Sequence, residues 1–182
     1  MDFVLPFEYS EKEFLDACVR NERWAQKRLY EDHYPQMMGI CLRYAQNEHD
    51  ALDILQEGFI KVFRNIAKYQ PGTTLAAWIR RIMVNTAIDF YRKSIRRRTE
   101  DLDAAFDLKS MEADAISQFS EKEILAAVQQ LTPAYRMVFN LNVIEGYSHK
   151  EIANLLNITE STSRSNLVKA RGKLKDKLNR LK

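Results

Sequence analysis

Ser148-His149-Lys150-Glu151-Ile152-Ala153-Asn154-Leu155-Leu156-Asn157-Ile158-Thr159-Glu160-Ser161-Thr162-Ser163-Arg164-Ser165 is the stretch that decides the fold. Ser148 with Glu151 three residues later is a capping box, and Ile152, Leu155 and Leu156 give the helix it opens one apolar face. Asn157 ends that helix, because Asn tolerates the left-handed turn position better than any other residue with a Cβ. Thr159 then caps a second helix that runs through Leu167, Val168, Ala170 and Arg171. Short polar side chains at its start, with Lys and Arg further along, suit a helix whose N-terminal end enters a DNA major groove. The pattern is a helix-turn-helix.

The charge distribution around this stretch points the same way. The net charge of the 182 residues is only +3, yet residues 160–182 carry eight basic side chains against two acidic ones. Residues 80–98 carry seven against one, and residues 99–118 between them carry one against six. Two compact basic segments separated by an acidic one suit two phosphate-facing surfaces, while an ordinary solvated basic face is the plain alternative for either alone.

With 5 Gly and 4 Pro, and no long alternating run, the chain reads as all-α: two small helical domains joined by an acidic linker, the second being the helix-turn-helix. The boundaries fall at 1–98, 99–118 for the linker, and 119–182. Ser10-Glu11-Lys12-Glu13 opens a first helix. A second starts near Asn21, and a separate apolar segment runs from about Pro35 to Tyr44. A long amphipathic helix spans Glu48 to Ala67, with Leu52, Leu55, Phe59, Val62 and Phe63 on one face. Pro71-Gly72 breaks the chain in the loop Tyr69 to Thr74, and another long helix follows from about Leu75 to Arg98. Ser120 to Glu123 repeats the capping box, Thr132-Pro133 starts the next helix, and Gly146 closes it.

Several function classes are disfavoured. Cys18 and Cys41 sit in apolar helical patterns and read as buried free thiols, not as a disulfide framework or metal ligands. His33, His49 and His149 are scattered and read as surface or helix-terminal residues. No nucleophile–base pair, metal set or phosphate-cradling glycine loop is present, so neither an enzyme nor a cofactor is expected. No signal-peptide pattern and no membrane-span-length apolar run are found, which implies a soluble cytoplasmic protein without membrane insertion.

Asp53, Gln56 and Glu57 lie three and four apart on one helix face, opposite Leu52, Leu55 and Phe59. Spacing alone is compatible with a plain solvated face. Together with Leu52 to Val62, however, this segment resembles the core-polymerase-binding helix of bacterial RNA polymerase sigma factors. Trp78-Ile79-Arg80-Arg81-Ile82, followed by Asn85, Asp89 and Arg92, resembles that family's promoter-melting helix. The helix-turn-helix resembles its second DNA-binding domain. The order of the three segments, without a large middle domain, is similar to the extracytoplasmic-function (ECF) group of the sigma-70 family.

The resemblance implies a promoter-specificity subunit that binds core RNA polymerase and promoter DNA. Asp53, Gln56 and Glu57 would contact the beta-prime clamp helices, where acidic and amide groups suit Arg-rich partners. Tyr69, Thr73 and Thr74 would wall a pocket for a flipped minus-10 base, and Trp78 and Asn85 would line the melted strand. Trp78 is equally compatible with a core position. Arg80, Arg81, Arg92, Arg96, Arg97 and Arg98 would meet phosphates. Glu160, Ser161, Ser163, Arg164 and Ser165 would read the minus-35 element, Arg164 being the one residue able to fork onto a guanine. Lys169, Arg171 and Lys173 would hold phosphates, and Thr162 and Leu167 would point inward. Asn157 stands where the family commonly has a turn glycine, and Ser163 where it commonly has an aliphatic residue. The resemblance also allows an anti-sigma factor that covers both domains. The competing reading is a helix-turn-helix regulator that binds duplex DNA without acting as a polymerase subunit.

Overall fold

The computed structural model describes residues 10–70, 72–100 and 120–179, without the side chains of residues 97–100 and 121. The sequence readings at Pro71, at the Arg97 and Arg98 side chains, and along the linker from residue 101 onward lie outside these residues. Eight α-helices carry the described fold: α1 (Glu11–Val19), α2 (Arg23–Tyr44), α3 (Glu48–Asn65), α4 (Leu75–Glu100), α5 (Glu121–Gln129), α6 (Pro133–Phe139), α7 (His149–Leu156) and α8 (Glu160–Asn179). A 3₁₀ turn, Ile66–Lys68, follows α3, and a π-helical turn, Asn140–Ile144, follows α6. No β-strand occurs among the described residues.

The capping signals act where the sequence puts them. Ser10, Ser120 and Ser148 each accept from the backbone N–H of a Glu three residues on, and that Glu accepts from the Ser backbone in return. The hydrogen bonds from Ser10, Ser120 and Ser148 hold the Glu13, Glu123 and Glu151 carboxyls below the usual range. Asn157 has φ 54° and closes α7 in the left-handed region. One boundary differs from expectation: Arg23–Tyr44 is a single helix that runs through Pro35. The helix tolerates the missing N–H because Pro35 is exposed, so the carbonyl left without a donor is near water.

α2, α3 and α4 bury Leu29, Met37, Ile40, Ile54, Leu55, Val62, Ile79, Met83 and Ile88 between them. Cys18 and Cys41 lie in this core, and burial pushes their thiols up to about 11 and about 12, so both stay protonated. Gly58 sits where α3 meets α4, and a Cβ there would overlap the Met83 sulfur. That close approach fixes the spacing of the two helices.

The two halves are not separate in this structure. The apolar cluster of α2 to α4 continues into Met137, Val138, Leu141, Ile152, Leu156 and Leu167 of the second half. A smaller cluster, Ala127, Val128, Leu131, Ala170, Leu174 and Leu178, ties α5 to α8. The junction is also polar. The last carbonyls of α2 have no partner within their own helix. Leu42 O accepts from Gln129 Nε2 at 3.1 Å, Arg43 O from Asn140 Nδ2 at 2.6 Å, and Tyr44 O from Arg136 Nη1 at 3.4 Å. The same guanidinium donates to the carbonyls of Val128, Gln129 and Leu131, closing the end of α5. Burial lowers the Arg136 pKa to about 10, with Asp50 opposing, so it remains charged at neutral pH.

Gly58→Ala will destabilise the first half by about 1 kcal/mol or more, because an added Cβ forces the buried Met83 side chain out of its present position. Urea denaturation measures this, and a variant as stable as the parent would show that the α3–α4 spacing is not limiting.

Candidate nucleic-acid and polymerase interfaces

The first candidate surface is the outer face of α3. Asn47 caps the helix by accepting from Asp50 N at 2.8 Å. Asp53, Gln56 and Glu57 are all exposed, and they line an open groove of about 410 Å³ between α3 and α4. Its remaining walls are Ile60, Phe90, Lys93 and Ser94. Ile60 is 43% exposed, which is high for a side chain of its size. Sequence reading missed these four. Ile60 was detectable, since it lies off the Leu52, Leu55, Phe59, Val62 stripe. The α4 residues were not, because only packing brings them beside α3. The groove therefore offers carboxylates, an apolar floor and one cation.

The second surface begins at the loop after the 3₁₀ turn. The Tyr69 ring packs against Trp78 with centroids 5.7 Å apart and planes 59° from parallel. The Tyr69 hydroxyl donates to Thr73 O at 2.6 Å, and Thr74 Oγ1 accepts from Ala77 N at 3.2 Å, which starts α4. Thr73 and Thr74 are exposed, and Trp78 is half-buried, packed against the core edge with part of its ring in solvent. Trp78, Arg81, Asn85, Asp89, Arg92 and Arg96 fall on one stripe of α4 at helical spacing. Arg81, Asn85, Arg92 and Arg96 are exposed. Asp89 accepts from Lys61 at 3.0 Å and stands 3.7 Å from Arg92.

Arg80 lies off that stripe. Its guanidinium grips the Glu145 carboxylate with Nε at 3.1 Å and Nη2 at 2.8 and 2.9 Å from the two oxygens. The Glu145 side chain is 9% exposed and that of Arg80 35%. Arg92 Nε also reaches the second half, donating to Leu155 O at 2.7 Å. Sequence reading missed Glu145, and no local signal marks a pair 65 positions apart.

The third surface is the outer face of α8. Ser161, Arg164, Ser165 and Arg171 are exposed, Glu160 and Lys169 half so. Arg164 pairs with Glu160 one turn earlier. Two expectations are corrected. Ser163 does not face outward: it is 0% exposed, and its hydroxyl is 2.9 Å from His149 Nδ1 at the start of α7. The reason is periodicity, since Ser163, Leu167, Ala170, Leu174 and Leu178 form the buried stripe of α8. Thr162, expected inward, is exposed beside the cap at Thr159. Leu167 is buried as expected. Val168, 64% exposed, completes the outward face.

The chain matches two family models, Sigma-70 region 2 over residues 29–98 and Sigma-70, region 4 over residues 121–174. It is 31% identical to the RNA polymerase sigma factor CarQ of Myxococcus xanthus, over 84% of this chain and 88% of that one. It is 34% identical to the ECF RNA polymerase sigma factor SigE of Mycolicibacterium smegmatis, over 82% of this chain; the match spans 60% of that protein's length. Among solved structures, the sigma factor RpoE of Bartonella quintana, in complex with the anti-sigma factor NepR, aligns with a TM-score of 0.49 at 20% identity, over 84% of this chain and 96% of that one.

Ser163→Ala leaves His149 without its partner and will cost about 1 kcal/mol of stability. The ratio of affinities for different duplex sequences will not change. A changed sequence preference in competition binding assays would return Ser163 to the DNA-facing side.

Proposed function

Because the chain belongs to the sigma-70 family of RNA polymerase sigma factors, in its extracytoplasmic-function group, we propose that three of its surfaces share the work of promoter-specific initiation. The observation that carries this is the sequence of surfaces along one chain: an acidic groove on α3, an aromatic and cationic stripe on α4, and a basic helix-turn-helix.

Asp53, Gln56 and Glu57 contact the beta-prime clamp helices of core RNA polymerase. Exposed carboxylates beside the apolar Ile60 and Phe90 support this, since charged groups give orientation and on-rate while an apolar side chain entering the groove gives affinity. Tyr69, Thr73, Thr74 and Trp78 receive a flipped minus-10 base, and the α4 stripe follows the melted strand. An aromatic ledge continued by exposed cations and Asn85 is the arrangement that binds single strands by stacking plus phosphate contact. In α8, Arg164 reads a base edge of the minus-35 element with Ser161, Ser165 and Thr162 around it, while Lys169 and Arg171 hold phosphates. No step of covalent chemistry is assigned to this chain; its work is to place the polymerase and hold the strands apart.

Run-off transcription with purified core polymerase on genomic fragments tests the assignment, and discrete transcripts that depend on the protein are the expected result. Asp53→Lys with Glu57→Lys will abolish polymerase binding with helicity unchanged; full affinity in that variant would move the polymerase contact elsewhere. Arg164→Ala will weaken specific promoter binding by roughly 1–3 kcal/mol, and equal loss on random duplex would make Arg164 a phosphate contact.

A further inference from the structure

We propose that Glu160 is a positioning residue for Arg164: its carboxylate holds the guanidinium over the first turn of α8, which commits Arg164 to a guanine edge and keeps it off the phosphates. The inference rests on the reading of Arg164 as a base reader of the minus-35 element.

The first observation is a charge of the wrong sign. Residues 160–182 carry eight basic side chains and two acidic ones, and one of those acids, Glu160, opens α8 at the end that enters a major groove. A carboxylate there weakens attraction to a polyanion. The helix dipole favours an acid in the first turn, which suits the fold but does not decide what the acid touches. Glu160 touches Arg164. The pair stands four residues apart with the acid first, the better order on a helix. Helical side chains lean toward the N-terminus, so Arg164 extends over Glu160 without strain. Four residues beyond Arg164 in the same row stands Val168, whose side chain offers no hydrogen bond.

Both side chains are open to solvent, Arg164 at 61% and Glu160 at 42%. An ion pair so exposed contributes little to the stability of a fold. Against DNA its setting changes. A long side chain that is already held loses less freedom on binding. The hydrogen bond to Glu160 uses one N–H of the five in a guanidinium, and those that remain still present a two-pronged edge to guanine O6 and N7. If Arg164 swings out to a phosphate, Glu160 stays in the groove as a desolvated charge without a partner. That penalty falls on duplexes lacking the guanine and not on the one that has it. Ser161 and Ser165, exposed on the adjoining row, carry no charge to take its place.

The test selects bound duplexes from a pool with a randomised centre, using the full chain and its variants, and reads the enriched sequences. The parent will enrich a guanine that Arg164→Ala no longer enriches. Glu160→Gln will lower that guanine preference roughly tenfold, the discrimination of one forked contact, and leave preferences at other positions unchanged. It will also bind a fixed duplex without the guanine roughly threefold more tightly, with a salt dependence steeper by about one phosphate contact. Glu160→Asp, which still pairs at this spacing, will keep most of the preference. Loss of charge alone tightens every duplex alike, so Glu160→Gln with its guanine preference intact overturns the proposal and leaves Arg164 standing as the reader. Loss of a cytosine preference in place of the guanine preference overturns it too, because Glu160 is then itself a base reader. A parent without any guanine preference that depends on Arg164 overturns the base-reading role on which the proposal rests.

Discussion

The carbonyls at the end of α2 set the terms for the rest of this structure. A helix leaves its last acceptors without partners, and when that end is covered the covering element must bring donors. Here the donors are Gln129, Arg136 and Asn140, 87 to 97 positions later in the chain. Their placement brings α5 and α6 against α2, and the apolar faces of α6 and α7 then merge with the core of the first half. Arg136 ends α5 as well, so one guanidinium couples the order of the second half to its docking on the first.

What the sequence made legible was local. Capping boxes at Ser10, Ser120 and Ser148, the left-handed Asn157, the Thr132-Pro133 start and the apolar stripe of α3 each involve residues within a few positions of one another, and each is present. The face of α8 was misread at its first turn. Ser163 and Thr162 are both small and polar, so composition does not tell which is inward. Counting back from Leu167, Ala170 and Leu174 does, and it selects Ser163. The Arg80–Glu145 pair and the α4 side of the α3 groove were not legible at all, because tertiary packing alone creates them.

The charge of the chain is organised at a finer scale than its segments. Within the basic stretch of α4, Asp89 pairs with Lys61 of α3 on one side and Arg92 on the other, while Arg80 faces away toward the second half. Seven basic residues in one segment are therefore not seven equivalent contacts. The exposed Arg81 and Arg96 are open to a polyanion at once, whereas Arg80 and Arg92 answer to neighbours first.

The π-helical turn Asn140–Ile144 has a consequence for how this chain can vary. Its i to i+5 hydrogen bond, from Glu145 N to Asn140 O at 3.0 Å, marks one residue more than an α-helical turn holds. Asn140 at its start points at α2, and Glu145 after it points at α4. Loss of one residue from this turn lets the helix close with regular α geometry and removes the offset that aims Asn140 at α2 and Glu145 at α4 together. Substitutions along the turn are therefore a gentler route for divergence than length changes, and a relative one residue shorter here must orient its helix-turn-helix by different contacts.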